Sequence, residues 1–331
     1  MPLDAPLVCP GGTIFSHSRE FARCAQKLCV NPSKMPIDNH NPSDLFTFLP
    51  SHTGQTPCGI STLAPLFAAR ICHELLTGVV MFNYQAPRDL LKDKVILVTG
   101  AGDGIGREAA LTYAAHGATV ILLGRTSAKL EAVYDQIEAA GHPLPAIVPV
   151  DLKGATKSHY LGMAETFAQQ FGRLDGVLFN AGLLGTLSPF EHIQEQEWDE
   201  VMQVNVKSEF LLTQALLPLI RQTAKEQGDA SIVYTSSSVG RNGRAYWGTY
   251  AISKFAIEGM MEVLADELEN TGVRVNTLNP GGTRTKMRAS AFPAEDPMNL
   301  KTPADLMPLY LYLMGADSRG KTGQTFVAQP K

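Results

Sequence analysis

From Asp93 onward the chain alternates between short runs of β-branched and aliphatic residues and longer stretches of mixed polarity. Lys94-Val95-Ile96-Leu97-Val98-Thr99 is such a run and reads as a buried strand. Further strands are expected over residues 119–123, 146–150, 177–179, 231–235 and 273–278, with 324–328 able to close the set as a seventh. Helices are expected over 105–116, 127–140 (capped by Thr126 or Ser127), around 164–171, and over 198–219, 250–269 and 303–314. Strands alternating with helices need crossover connections, so the strands run parallel and both faces of the sheet are covered. The expected fold class is therefore α/β, doubly wound, a single domain with a seven-stranded parallel sheet. About 250 residues suffice for one such domain and are too few for two.

The first 80 residues break this pattern. All five cysteines, Cys9, Cys24, Cys29, Cys58 and Cys72, lie there, as do His17, His40, His52 and His73. Proline is dense and no long apolar periodicity runs through, apart from one helix-like stretch at 63–76. An odd cysteine count without a secretory signal does not suggest a disulfide framework, and no pair has C-x-x-C spacing. Residues 1–80 thus read as a disordered extension or a mistranslated upstream frame, with 81–331 as the folded domain; the alternative is a regulatory or metal-binding appendage. Thr77-Gly78-Val79 can be encoded with an AGGAG string ahead of Met81, so a natural start at Met81 is the expectation. The charge balance, 28 Lys and Arg against 32 Asp and Glu for a net −4, disfavours a nucleic-acid binder. No run of ~18 uninterrupted apolar residues suggests a membrane helix. The expected location is cytoplasmic.

The first strand runs into Thr99-Gly100-Ala101-Gly102-Asp103-Gly104-Ile105-Gly106 and then a helix, the context in which a glycine turn and a helix N-terminus hold a pyrophosphate. The glycines at 100, 104 and 106 are spaced G-x-x-x-G-x-G, which resembles the short-chain dehydrogenase/reductase superfamily and its Rossmann fold. That resemblance implies cofactor contacts along residues 100–106, with Gly102, Asp103 and Ile105 among them. Arg125, at the end of the second strand, stands where NAD-selective relatives carry an acid. It would pair with a 2′-phosphate, so NADP is preferred and NAD is possible; the alternative is that Arg125 points into solvent. Asp103 is expected to add no second basic contact there. Asp151-Leu152 matches the position whose acid contacts the adenine, although a lone Asp could cap a helix.

Tyr250-Ala251-Ile252-Ser253-Lys254 is Tyr-x-x-x-Lys, which puts a phenol and an ammonium on one helix face. A phenol titrates near ~10 and an adjacent cation favours its phenolate, the form needed for acid–base work near neutrality. Ser237, thirteen residues upstream, can hydrogen-bond a substrate carbonyl beside Tyr250. Spacing selects it over Ser236 and Ser238, which point to the other face while the strand is extended. The resemblance adds Asn205 as the fourth catalytic position, anchoring a water that connects Lys254 to solvent. It also adds Asn180-Ala181-Gly182 after the fourth strand, and Pro280-Gly281 with Thr283 and Thr285 around the nicotinamide carboxamide. Tyr250 and Lys254 count among the cofactor contacts as well. The matching motifs span residues 90–330 and none of 1–80. Thr235-Ser236-Ser237-Ser238-Val239-Gly240-Arg241, Asn279-Pro280-Gly281-Gly282-Thr283-Arg284-Thr285 and the string 302–310 look like the bacterial YciK oxidoreductase group.

The implied activity is reversible hydride transfer between NADP(H) and a carbonyl or alcohol substrate, with no metal. Segments 183–191, 241–247 and 286–300 are the expected substrate walls. Arg241, Arg244 and Arg284 either hold an anionic substrate or are solvated, and Trp247 and Phe292 either line a pocket or pack. Relatives form dimers or tetramers through the two long helices, and the apolar set Phe255, Ile257, Met260, Met261 and Leu264 is too rich for one stripe, so a homodimer or homotetramer is expected. The competing class is a catalytically quiet nucleotide-sensing module that binds a partner; a sugar-nucleotide epimerase resembles the chain less.

Overall fold

The computed structural model describes residues 84–330, together with Leu7–Val8 and Ile14–Phe15, which pair antiparallel. The chain divides into two units, Met1–Thr62 and Leu63–Lys331. The expectations for a disordered or mistranslated segment, a start at Met81 and a helix at 63–76 lie outside the described residues.

Seven strands form one parallel sheet: β1 Val95–Thr99, β2 Thr119–Gly124, β3 Ala146–Pro149, β4 Gly176–Phe179, β5 Ala230–Thr235, β6 Val273–Asn279 and β7 Gln324–Val327. Their order across the sheet is β3-β2-β1-β4-β5-β6-β7. Side chains on a strand alternate between faces, and the burial follows that period. Leu97, Ile121, Val177, Ile232 and Val275 pack into one core layer. Their neighbours Ile96, Val98, Val120, Leu122, Leu178 and Val233 pack into the other. Both faces are therefore apolar, which is why these strands read as continuous hydrophobic runs.

The helices are α1 Gly104–Ala115, α2 Ser127–Ala139, α3 Lys157–Phe171, α4 Glu195–Met202, α5 Ser208–Gln227, α6 Gly248–Glu267, α7 Lys286–Ala291 and α8 Met307–Met314. α1 and α8 lie on one face of the sheet, and α3, α5 and α6 bury their apolar sides on the other. Strand order reverses direction between β1 and β4, so the chain leaves a crevice beyond their carboxyl ends, where open α/β sheets hold ligands.

Three expected elements change. The helix expected around 164–171 begins a full two turns earlier, at Lys157. Tyr160, Met163 and Phe167 give it a buried stripe, and His159 Nδ1 accepts from the Thr156 N–H at 3.0 Å in place of an acidic capping partner. The helix expected over 198–219 is α4, a π turn at Gln203–Lys207, and then α5. The stretch 303–314 is a 3₁₀ turn, Ala304–Leu306, followed by α8.

Candidate active site

β1 delivers Thr99 to the crevice, where its Oγ1 accepts from the backbone N–H of Asn180 (2.9 Å) and of Ala181 (3.0 Å). The turn leaving β1 is thus tied to the end of β4. Gly100 and Gly104 hold φ of +68° and +55°, the left-handed region that a side chain resists. Gly106 has a different task. A Cβ there would lie 2.3 Å from the Gly100 carbonyl oxygen and 2.6 Å from Asn180 Nδ2, so only glycine lets α1 start this close to the turn. The result is a cleft of about 270 Å³. Gly100, Gly102 and Asp103 form its floor, Arg125, Lys129 and Asp151-Leu152 one wall, and Ala181-Gly182 the other. Asp151 does not cap a helix; its Oδ1 accepts from the Lys153 N–H at 3.1 Å.

Asp103 is itself acidic and adds no basic contact of its own, but it gathers two lysines. Asp103 caps α1 by accepting from the Gly104 N–H at 2.9 Å, and its carboxylate pairs with Lys129 at 2.6 Å and Lys286 at 2.9 Å. These two ammonium groups hold the Asp103 carboxyl down at about 2. Arg125 follows β2 and Lys129 lies in the first turn of α2, and both line the cleft. Arg125-x-x-x-Lys129 was the available signal. Lys286 comes from 183 positions away and had none.

α6 supplies Tyr250 and Lys254, both buried. Lys254 Nζ donates to the Thr235 carbonyl oxygen at 2.7 Å and lies 5.8 Å from the Tyr250 ring centroid. The three serines that follow β5 differ in surroundings, and Ser238 already belongs to a 3₁₀ turn and is exposed. Ser236 is buried and its Oγ donates to Glu258, whereas Ser237 is extended (φ −155°) and half-exposed. The turn Ser238–Gly240 seats on α6 so closely that a Cβ at Gly240 would lie 2.9 Å from Lys254 Cβ. Glu258 fixes this corner, accepting also from Thr277 (3.0 Å) and Thr325 (2.8 Å) and pairing with Arg241 (3.1 Å).

Asn205 stands in the π turn that interrupts the expected long helix, and such turns cluster at functional sites. It is fully buried. Its Oδ1 accepts from the Leu183 N–H at 2.7 Å; its Nδ2 donates to the Leu183 carbonyl oxygen at 2.8 Å and to Ser253 Oγ at 3.0 Å. The side-chain amide thus binds the segment after β4 to α6.

The sequence profile of short chain dehydrogenases matches residues 94–296. The chain belongs to that family. It is 59% identical over 249 residues to the uncharacterized oxidoreductase YciK of Escherichia coli K12, spanning 75% of this chain and 96% of that one. A crystal structure of a short chain dehydrogenase from Shigella flexneri, complexed with NADP, is similar with a TM-score of 0.71 and 58% identity. It covers 74% of this chain and 100% of the other. A short chain dehydrogenase from Escherichia coli CFT073, complexed with NADPH, gives a TM-score of 0.71 and 59% identity with the same two coverages.

In this short-chain dehydrogenase the segment after β6 comes up beside the phosphate turn. Thr283 is buried, with Oγ1 3.3 Å from the Gly281 carbonyl oxygen, and Thr285 caps α7 by accepting from the Arg288 N–H at 3.2 Å. Gln329, missed in the sequence, donates to the carbonyls of Pro280 (2.8 Å) and Gly282 (3.0 Å) and so shapes the Pro280-Gly281 turn. A Cβ on Gly104 would stand 3.5 Å from Thr285 Cγ2, so α7 reaches the phosphate turn. Trp247 and Phe292 meet at 5.8 Å, and Trp247 lies 5.9 Å from the Tyr250 ring. Glu209, four residues after Asn205, was also missed. It is 2% exposed, and neither carboxyl oxygen has a hydrogen-bond partner among the described residues. Burial pushes its carboxyl up to about 8, against the pull of Lys254.

Proposed function

We propose that this oxidoreductase transfers hydride reversibly between NADP(H) and a carbonyl or alcohol, with Ser237, Tyr250, Lys254 and Asn205 as its working set. The observation that carries the proposal is the Lys254 ammonium, buried beside Tyr250 and anchored on the carbonyl of Thr235, the last residue of β5 and two before Ser237.

The residues fit a dinucleotide. The glycine turn and the start of α1 suit a pyrophosphate. The Gly106 contact leaves no room for a side chain that would lift the helix away. Asp151 and Leu152 line the same cleft and would contact the adenine, and Arg125 would meet a 2′-phosphate beside Lys129, whose ammonium pairs with Asp103. Relatives of 58% and 59% identity carry NADP and NADPH in their crystals, which supports the same preference here.

When bound, the nicotinamide supplies the hydride or takes it. The chain's own residues manage the oxygen. Ser237 Oγ–H donates to the substrate oxygen and holds it beside Tyr250. Tyr250 gives its hydroxyl proton to that oxygen in reduction and removes it in oxidation. The Lys254 charge favours the phenolate left behind and binds the nicotinamide ribose. Asn205 supports the relay water through its main chain, since both side-chain atoms are engaged by Leu183 and Ser253. Thr283 and Thr285 hold the carboxamide end.

A homodimer or homotetramer is part of this reading. Ile252, Phe255 and Val263 form an exposed apolar stripe on α6, and Phe210 is exposed on α5. No helix among the described residues is long and apolar enough to cross a membrane.

The test is a titration of the full chain with NADPH and, in parallel, NADH, followed by melting temperature. Stabilisation by NADPH alone at matched concentration is the expected result. Equal stabilisation by both would remove the role of Arg125 and Lys129, and stabilisation by neither would remove the proposal.

A further inference from the structure

The arginines around the candidate site are not equivalent. Arg241 is spent on Glu258, Glu262 and Thr325. Arg284 donates to the backbone carbonyls of Pro297 (2.8 Å) and Leu300 (3.3 Å), and Arg288 is paired with Glu295 at 2.6 Å. Among the described residues, Arg244 alone of this group has neither a carboxylate nor a carbonyl partner for its guanidinium. Its guanidinium lies 5.8 Å from the Trp247 ring and 5.6 Å from the Phe292 ring. Two aromatic faces therefore orient it by cation–π attraction without neutralising it, and its N–H donors stay open to a planar anion.

Its position relative to the chemistry is set by the start of α6. Tyr250, Trp247 and Arg244 follow one another at three-residue steps, with 5.9 Å between the first two rings and 5.8 Å from the indole to the guanidinium. Phe292 comes from the end of α7, where Arg288 stacks on it at 3.8 Å, and its ring meets that of Trp247 at 5.8 Å. The result is an apolar surface bounded at one end by the phenol and at the other by an unneutralised cation.

We infer that the substrate carries an anionic group, a carboxylate or a phosphate, seated on Arg244, with its apolar body against Trp247 and Phe292 and its carbonyl at Tyr250 and Ser237. This rests on the proposed hydride transfer at the same site. The reaction balances as before: the carbonyl carbon gains the hydride that NADPH loses, the oxygen gains the Tyr250 proton, and the anion is unchanged.

The test compares three substrates of one shape, acetylbenzoate, acetylphenyl phosphate and the neutral acetylbenzamide, with the full chain and NADPH. The expected result is a kcat/KM for an anionic ketone about tenfold to a hundredfold above the amide, carried in KM. In Arg244→Gln that advantage vanishes, the anionic ketones falling to the kcat/KM that the amide has in the same variant, and Arg244→Lys restores part of it. The arm with the larger advantage names the anion. Equal kcat/KM across the three, or a preference that survives in Arg244→Gln, overturns the inference. A second readout does not need turnover. Benzoate or phenyl phosphate should raise the melting temperature of the NADP-loaded chain more than benzamide does, and Arg244→Gln should erase the difference. No difference in the original chain overturns the inference even if no ketone reacts. Failure of every ketone with NADPH bound, but with benzoate selectivity intact, counts against the proposed hydride transfer and not against the anion site.

Discussion

Glu209→Gln should make the protein more stable as pH rises. Glu209 lies in the first turn of α5, 2% exposed, with both carboxyl oxygens lacking a hydrogen-bond partner among the described residues. Burial disfavours its anion and pushes its value from 4.5 to about 8, the Lys254 charge acting in the opposite sense. The native chain therefore keeps a proton that the unfolded chain has already lost between these two values. Folding is linked to proton uptake across that window, so stability falls as pH rises from 4.5 towards about 8. At about 1.4 kcal/mol per pH unit, the window is worth up to about 5 kcal/mol. Glutamine has the shape of the protonated acid and no proton to lose. Relative to the original chain, Glu209→Gln should be within about 1 kcal/mol at about pH 4.5 and more stable by about 3–5 kcal/mol at about pH 9. Urea unfolding of both proteins at matched pH values gives this difference directly and cancels the groups they share. A difference that does not change with pH would refute the reasoning. A variant that becomes less stable at high pH would mean that Glu209 is ionised and paired with Lys254 in the native state.

Three other outcomes are expected. Gly106→Ala should lower stability by about 1–3 kcal/mol and weaken NADPH binding at least about tenfold, because its Cβ would overlap the Gly100 oxygen at 2.3 Å. Gly162→Ala, helical with nothing within 4 Å, is the control and should stabilise by up to about 1 kcal/mol in the same melts. Arg125→Glu and Lys129→Glu should each weaken NADPH about tenfold or more and leave NADH within about twofold, measured by calorimetric titration. Phe255→Asp, at a half-exposed position on the α6 stripe, should lower the mass seen by light scattering while the circular dichroism stays unchanged.

The parts of the site that were legible in the sequence are those written locally. Continuous aliphatic runs reported strands covered on both faces, and the sheet has the expected seven. The three glycines reported a turn and a helix start because positive φ and close approach are properties of a few adjacent residues. Tyr250 and Lys254 come from one helix, and spacing singled out Ser237 from Ser236, which is buried on Glu258. What was not legible depends on distant partners. Lys286 reaches Asp103 across 183 positions, and Gln329 reaches Pro280 across 49. The π turn left no compositional mark in an apolar stretch that suits a plain helix, yet it is what aims Asn205 at Leu183. Nothing local in the sequence distinguishes Glu209 from a solvated helix carboxylate; packing encloses it. Likewise, four nearby arginines were indistinguishable by type and separated only by what each one touches.

The most direct test of the account is turnover by Tyr250→Phe. The original chain and the variant, both shown by titration to bind NADPH, are mixed with the same carbonyl panel and followed by loss of nicotinamide absorbance. The account predicts binding within about twofold of the original and turnover lower by at least about 100-fold, since the phenol proton has no substitute at that oxygen. Turnover by Tyr250→Phe equal to that of the original chain would contradict it.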